Sequence, residues 1–173
     1  DALNERSKAV KGSKVLVLGL AYKPNVDDDR ESPSYVLLDL LKARGAVTRM
    51  LVLAPRRAML HTWPAEIAKW DQFKDLRVSL IHGTVADRYR GLAAEADVYL
   101  MHYDNLHWLA GQDCVPADML VMDESTKVKN ASTRRFKSLL PLLPKFKMRV
   151  ALSGTPTPLH IGDLFGQVHA CDL

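Results

Sequence analysis

The stretch Met119-Leu-Val-Met-Asp-Glu-Ser-Thr-Lys127 joins a short apolar run to an acidic pair, Asp123 and Glu124. An apolar run of this length is typical of a β-strand that is covered on both faces. The acidic pair then lies where the strand ends. The stretch therefore predicts a buried strand of a helix-covered sheet, with two carboxylates at its carboxyl end.

Five more runs of the same kind lie along the chain, and helical patterns alternate with them. The predicted strands are Lys14–Leu20, Arg49–Ala54, Leu76–Ile81, Asp97–His102 and Arg149–Ser153. One predicted helix begins at Ser32-Pro33. Further helices are predicted at residues 62–70, 85–95 and 161–170, and around Phe136 with an end near Pro141. This alternation predicts a three-layer α/β/α sandwich with a doubly wound, mainly parallel sheet of about six strands. Without repeats or low-complexity linkers, residues 1–173 are expected to form a single domain.

The composition favours a soluble protein of the cytoplasmic type. The 173 residues are 47% hydrophobic, which is enough for one core. No apolar run approaches the roughly 18 residues of a membrane span, so no membrane partner is expected. The cysteines, Cys114 and Cys171, lie far apart without zinc-ligand spacing, and they indicate two incidental thiols.

The basic side chains are concentrated in the last third of the chain. The net charge is +4, and residues 125–173 carry eight basic and two acidic side chains. The eight are Lys127, Lys129, Arg134, Arg135, Lys137, Lys145, Lys147 and Arg149. Such a segment favours a solvated helix face, and weak, salt-dependent contacts with nucleic acid are the competing interpretation.

The front of the chain carries the run Val15-Leu-Val-Leu-Gly-Leu-Ala-Tyr-Lys-Pro24 and, further on, Arg30-Glu-Ser-Pro33. Residues 2–46 resemble the C-terminal domain of UDP-N-acetylhexosamine and UDP-glucose dehydrogenases. The resemblance implies ligand contacts by Lys23 and Arg30, against the favoured alternative of solvated loop charges. The helix start at Ser32 would add its backbone amides to the same anion site. No Gly-x-Gly-x-x-Gly fingerprint or glycine-rich cysteine motif accompanies it, so dehydrogenase activity is excluded.

The rest of the chain carries a different set of motifs. Leu51-Val-Leu-Ala-Pro-Arg-Arg57 precedes Trp63-Pro-Ala-Glu-Ile-Ala-Lys-Trp70, the acidic motif is Asp123-Glu-Ser-Thr126, and Ser153-Gly-Thr-Pro156 follows. In this order they resemble motifs Ia, II and III of the first RecA-like lobe of Swi/Snf-type superfamily 2 helicases. Residues 49–173 are therefore interpreted as helicase-like and residues 1–48 as a dehydrogenase-like strand, loop and helix, joined between Gly45 and Arg49.

The second resemblance implies a role for each motif residue. Asp123 and Glu124 would capture Mg²⁺ and polarise water for phosphoryl transfer, with Asp123 as the metal ligand. Ser153 and Thr155 would sense the phosphate, and Arg57, Lys127, Lys129, Arg134 and Arg135 would approach a nucleic-acid backbone. However, none of the nine glycines begins Gly-x-x-x-x-Gly-Lys-Ser/Thr, the loop that cradles phosphates. The motifs are therefore expected to be vestigial, with no cofactor other than a vestigial Mg²⁺.

Three functions remain in competition. The favoured one is a chimeric α/β scaffold, engineered or selected, that has no native catalysis and is not an enzyme. The first alternative is a remnant module that binds nucleotide or nucleic acid. The second is the N-terminal lobe fragment of an ATP-dependent helicase.

Overall fold

The computed structural model describes residues 49–69, 71, 73–155, 157 and 161–172. Five parallel strands form one sheet in the order β2-β3-β1-β4-β5. They are β1 Met50–Ala54, β2 Val78–Ile81, β3 Val98–His102, β4 Met119–Asp123 and β5 Met148–Leu152. The predicted α/β fold with a parallel sheet is confirmed, and the sixth predicted strand, Lys14–Leu20, lies outside the described residues.

The strands are in close register, so their carboxyl ends share one edge of the sheet, here called the carboxyl edge. Ala54 at the end of β1 pairs with His102 at the end of β3. Asp123 at the end of β4 pairs with Leu152 at the end of β5. Both sides of β4 are occupied, by β1 and β5, so no further strand can pair with β4.

Helices connect the strands and run back towards the amino edge. The α-helices are α1 Trp63–Lys69, α2 Val85–Ala93, α3 Leu106–Ala110, α4 Arg134–Leu139 and α5 Leu164–Asp172. A π-helical turn, Ala58–Thr62, leads directly into α1. Short 3₁₀ turns cover Tyr103–Asn105, Ser125–Val128, Leu140–Lys145 and Ile161–Asp163.

Alternating strand residues supply two separate cores, one on each face of the sheet. On one face, side chains such as Leu53, Met101 and Met122 pack with α3, α4 and the end of α5. On the other, Val52, Leu100 and Val121 pack against the π turn and α1. Helices therefore cover both faces, as the predicted three-layer arrangement requires.

The prediction for β2 was wrong in one respect. Val78 and Leu80 are 37% and 40% exposed, so β2 is buried on one face only. It is the outermost strand of the described sheet and begins two residues later than predicted. Its other face is covered tightly, because a Cβ at Gly91 of α2 would collide with the backbone carbonyl oxygen of Leu80.

Helix positions were predicted better than helix boundaries. The helix expected at 62–70 begins earlier, through the π turn at Ala58, and the helix expected at 161–170 opens with a 3₁₀ turn. Pro141 ends the α-helical geometry of α4 as expected, but the chain continues as the turn Leu140–Lys145. Among the described residues, no helix is both long enough and apolar enough to cross a bilayer.

Candidate functional site

Asp123 is held from both faces of the sheet. The indole Nε1 of Trp63, the first residue of α1, donates a 2.9 Å hydrogen bond to its carboxylate oxygen Oδ2. On the other face, the hydroxyl of Tyr103 donates a 2.7 Å hydrogen bond to its backbone carbonyl. Burial raises the pKa of the Asp123 carboxyl, and the Trp63 hydrogen bond opposes that rise. One carboxylate oxygen and the backbone carbonyl of Asp123 therefore each accept a hydrogen bond from a residue distant in sequence.

Glu124 adopts a left-handed backbone conformation. Its φ of 53° and ψ of 56° place it in the αL region, and no other non-glycine residue among those described has a positive φ. An L-residue in this region is less stable by roughly 1–2 kcal/mol than in the right-handed one. Glu124 is exposed, and residues with such strained backbones cluster at functional sites.

The residues after Glu124 are tied to α5. Ser125 is fully buried, and its hydroxyl donates a 2.5 Å hydrogen bond to Oε1 of Gln167. A Cβ at Gly166 would collide with the carbonyl oxygens of Val128 and Lys129, so only glycine permits this approach of the helix. The turn after β4 is therefore fixed by a partner some forty positions later in the sequence.

The predicted motif III residues lie beside Asp123 along the same edge. Ser153 directly follows Leu152, the pairing partner of Asp123, and is 7% exposed. The backbone N–H of Thr155 donates a 3.2 Å hydrogen bond to the hydroxyl of Ser153. The structure thus brings the two predicted motifs to neighbouring strand ends, and the phosphate-sensing role stays a prediction.

A second charged group lies at the ends of β1 and β3. The Arg135 guanidinium lies 2.6 Å from the Asp104 carboxylate, and its hydrogen bond holds the pKa of that carboxyl below its ordinary value. The same guanidinium lies 5.9 Å from the centre of the Tyr103 ring. Burial lowers the pKa of His102; the Asp104 carboxylate opposes this shift, and the charges of Arg135 and Arg56 add to it. Arg56 and Arg57 themselves are exposed at the end of β1.

The basic segment does not form one surface. Arg149 is 1% exposed within β5, so its assignment to an exposed basic surface was wrong. Lys147 pairs with Asp118 at 3.4 Å, at the amino end of β4 and away from the carboxyl edge. Lys127 and Arg134 lie exposed on the side of the acidic pair. Periodicity in sequence could not separate these groups, because α4 and the turn after it carry the chain from one edge of the sheet to the other.

Two further predicted contacts are engaged in ion pairs. Lys129 lies 3.1 Å from the buried carboxylate of Asp163, and Arg135 binds Asp104. Phe136 and Phe146 are 2% and 4% exposed, so neither provides a stacking surface. Lys23, Arg30 and Ser32, the candidate ligand residues of the front segment, lie outside the described residues.

The contacts of several site residues carried no signal in the sequence. Trp63, Tyr103 and Gln167 contact the acidic motif through bonds that join residues 60, 20 and 42 positions apart. A hydroxyl or indole in an apolar pattern gives no indication of its partner. Within the described part of the chain, no group of three or more histidine, cysteine, aspartate or glutamate side chains is arranged to hold a metal ion.

Comparison with known protein families identifies the family of this chain. A profile of the SNF2-related domain matches residues 15–170. The chain belongs to the SNF2-related domain family. The family match confirms the helicase-like prediction. Because the match begins inside the segment interpreted as dehydrogenase-like, the predicted junction between Gly45 and Arg49 is not confirmed.

Individual relatives agree with the family assignment. Putative protein p41 of Acyrthosiphon pisum secondary endosymbiont phage 1 is 35% identical over 144 residues, which is 78% of this chain and 31% of that protein. The DNA repair and recombination protein RAD54 of Oryza sativa subsp. japonica is 27% identical over 73% of this chain and 14% of its own length. The chain therefore spans less than a third of these relatives.

Solved structures show the same fold. The Sulfolobus solfataricus SWI2/SNF2 ATPase core in complex with dsDNA aligns with a TM-score of 0.67 at 27% identity, over 80% of this chain and 28% of that one.

A short sequence match to a protein of a different kind is also present. UDP-glucose 6-dehydrogenase of Rhizobium meliloti is 49% identical over 37 residues, or 21% of this chain. This partial match does not establish a chimera.

Proposed function

We propose that the chain is part of the N-terminal lobe of an SNF2-type motor, and that its carboxyl edge contacts nucleic acid and a magnesium-bound phosphate. The observation that carries the proposal is the placement of Asp123, Glu124 and Ser153 at the ends of adjacent strands β4 and β5. Family membership supports this function over the chimeric scaffold.

The electrostatics of the edge are suited to both ligands. Asp123 and Glu124 present two carboxylates, the oxygen ligands that Mg²⁺ prefers. Arg56 and Arg57 lie exposed at the end of β1, and Lys127 lies exposed just after the acidic pair. Exposed guanidinium and ammonium groups bind backbone phosphates without reading sequence. One relative's structure holds dsDNA, which supports a duplex as the polymer.

Hydrolysis of ATP by this chain alone is not part of the proposal. The sequence has no Gly-x-x-x-x-Gly-Lys-Ser/Thr motif, whose amides and lysine neutralise the triphosphate. Phosphoryl transfer depends mainly on such positioning and neutralisation. We expect the rate of phosphate release to equal that of a variant carrying Asp123→Ala and Glu124→Ala.

Duplex binding provides the direct test. A labelled DNA duplex is titrated with the chain, and fluorescence anisotropy is measured at about 50 mM and about 200 mM salt. Binding should weaken at the higher salt, and it should be lost when Arg56 and Arg57 are replaced by glutamine. Replacing Arg88 and Arg90 of α2 by glutamine is the matched control and should change little. Salt-independent binding, or equal losses in both variants, would contradict the proposal.

A scaffold that retains sugar-nucleotide binding is the second candidate. The 37-residue likeness to UDP-glucose 6-dehydrogenase favours it. Lys23, Arg30 and Ser32 would then contact a UDP group, while Asp27, Asp28 and Asp29 would weaken the binding. Calorimetry with UDP-N-acetylglucosamine should show weak heat that Lys23→Gln abolishes, and an absence of heat would remove this candidate.

A further inference from the structure

We infer that Trp63 is a positioning residue that couples nucleic-acid contact at Arg56 and Arg57 to cation binding at Asp123. The inference rests on the proposed function and concerns the regulation of the same site. Its physical basis is the 2.9 Å hydrogen bond from Trp63 Nε1 to Asp123 Oδ2. This bond joins the helical segment that follows β1 to the acidic motif that follows β4.

The first step is the effect of the bond on Asp123. A hydrogen bond to an ionised carboxylate is charge-assisted, and it limits rotation of the carboxylate. With Oδ2 held by the indole, the orientation in which Asp123 meets a cation is determined by the position of Trp63. Partners of this kind around metal ligands typically change metal affinity by about 10- to 100-fold when they are removed.

The second step is what determines the position of Trp63. The ring is partly buried and packs against the apolar core on the face of α1, together with Leu60 and Ile67. Its Nε1 projects towards the carboxyl edge, since Asp123 is the last residue of β4. Any rotation of the segment before α1 therefore moves the hydrogen-bond donor at the metal ligand.

The third step is the π turn between the arginines and the tryptophan. Ala58–Thr62 is π-helical, and it begins directly after Arg57 and ends directly before Trp63. Such turns are rare and are frequently found at functional sites. Phosphates bound to Arg56 and Arg57 would hold this turn in its π-helical geometry. The same geometry places the Trp63 donor against Asp123.

The test measures coupling in the full chain. Mn²⁺, which electron paramagnetic resonance detects directly, is titrated with and without a DNA duplex, and the Mn²⁺ bound by the duplex alone is subtracted. The ratio of the two protein affinities is the coupling factor. For the natural sequence the ratio should differ from one by about 5-fold or more. Trp63→Phe keeps an apolar ring but removes the N–H donor. It should bring the ratio close to one and weaken Mn²⁺ by about 10-fold or more.

Trp108→Phe is the matched control. It removes an indole of α3 whose Nε1 has no hydrogen-bond partner within the described part of the chain, so the coupling factor should stay unchanged. A Trp63→Phe protein that keeps the natural ratio would overturn the inference while leaving the proposed function intact. Natural protein that binds neither Mn²⁺ nor DNA would overturn the proposed function and the coupling with it.

A spectroscopic measurement that keeps Trp63 guards against a Trp63→Phe variant that fails to fold. In a nitrogen–proton NMR spectrum, the Trp63 indole signal should shift when Mg²⁺ or the duplex is added separately. Asp123→Ala should move this signal and speed its exchange with water, because the acceptor is gone. A Trp63 signal that is indifferent to Asp123→Ala would show that the bond is absent in solution, and the inference would fall.

Discussion

The hydroxyl of Tyr103 donates a 2.7 Å hydrogen bond to the backbone carbonyl of Asp123, although their strands are not neighbours. Strand β1 lies between β3 and β4, so the bond crosses the end of β1. Burial raises the pKa of the Tyr103 phenol well above its ordinary value, and the charges of Asp123 and Glu124 raise it further. The phenol therefore remains a hydrogen-bond donor at any physiological pH.

Replacement of Tyr103 by phenylalanine tests this bond. We expect Tyr103→Phe to lower the free energy of unfolding by about 1–2 kcal/mol, because the buried carbonyl loses its partner. Tyr99→Phe is the control, since the Tyr99 hydroxyl donates a 2.7 Å hydrogen bond to the carbonyl of Ala94 and accepts one of 3.3 Å from the N–H of Ala96, before β3 begins. Urea denaturation should show a loss of stability in both variants, but only Tyr103→Phe should weaken Mg²⁺ binding. Equal effects of the two variants on Mg²⁺ would contradict the role of Tyr103.

The backbone of Glu124 provides a second prediction. Glu124→Gly and Glu124→Ala remove the same carboxylate, but only glycine adopts the left-handed conformation without a steric penalty. We expect the glycine variant to be more stable than the alanine variant by up to about 1 kcal/mol, while both lose the carboxylate ligand. Thermal unfolding of the pair isolates the backbone contribution. A more stable alanine variant would show that the turn is not left-handed in solution.

The strands were predictable because each depends on a local pattern. Runs such as Leu51–Ala54 and Leu120–Met122 are apolar in every position, and their burial on both faces follows from that alone. The run at Leu76–Ile81 is also rich in apolar residues, yet Val78 and Leu80 are exposed because β2 is outermost in the described sheet. Position within a sheet is a tertiary property, and composition does not encode it.

The site was predictable only where motifs are contiguous. Asp123, Glu124 and Ser153 were located from the sequence, because strand order in a parallel sheet places strand ends together. The bond from Trp63 to Asp123 depends on two strands, a rare π turn and one side-chain rotamer. The hydrogen bond from Ser125 to Gln167 depends on the packing of α5 around Gly166. Such contacts have no signature in local periodicity.

The raised pKa of Asp123 makes stability depend on pH in a defined direction. Burial is the main cause, so the charged carboxylate is less stable in the folded protein than in the unfolded chain. As pH falls through the raised folded pKa towards the ordinary value, the folded protein takes up the proton first and gains stability. At neutral pH, Asp123 therefore destabilises the fold, and this penalty disappears in acid.

Asp123→Asn removes that penalty while keeping an oxygen for the Trp63 donor. We expect the variant to be more stable than the natural sequence at neutral pH, and the difference should shrink as pH falls below the raised pKa. Urea denaturation of both proteins over a pH series measures the difference directly, and contributions from other groups cancel. A difference that stays constant with pH would mean that the Asp123 carboxyl titrates at its ordinary value.

The division of the basic segment gives the last prediction. Lys127 and Arg134 lie on the side of the acidic pair, whereas Lys145 and Lys147 lie near Asp113 and Asp118 at the amino edge. Changing either pair to glutamate alters the net charge by the same amount. Any difference in DNA binding between the two variants must therefore come from location.

We expect Lys127→Glu with Arg134→Glu to abolish duplex binding, and Lys145→Glu with Lys147→Glu to reduce it only slightly. The first variant should also flatten the dependence of log affinity on log salt by roughly 0.9 for each phosphate that the protein no longer binds. Fluorescence anisotropy across a salt series measures both quantities, and thermal unfolding checks that each variant folds, since Lys145 and Lys147 bond to neighbouring loops. If both variants weaken binding equally, the interaction depends on net charge alone. If the amino-edge variant is the weaker binder, the nucleic acid binds at the opposite end of the sheet from the acidic pair, and the carboxyl edge cannot be the interface.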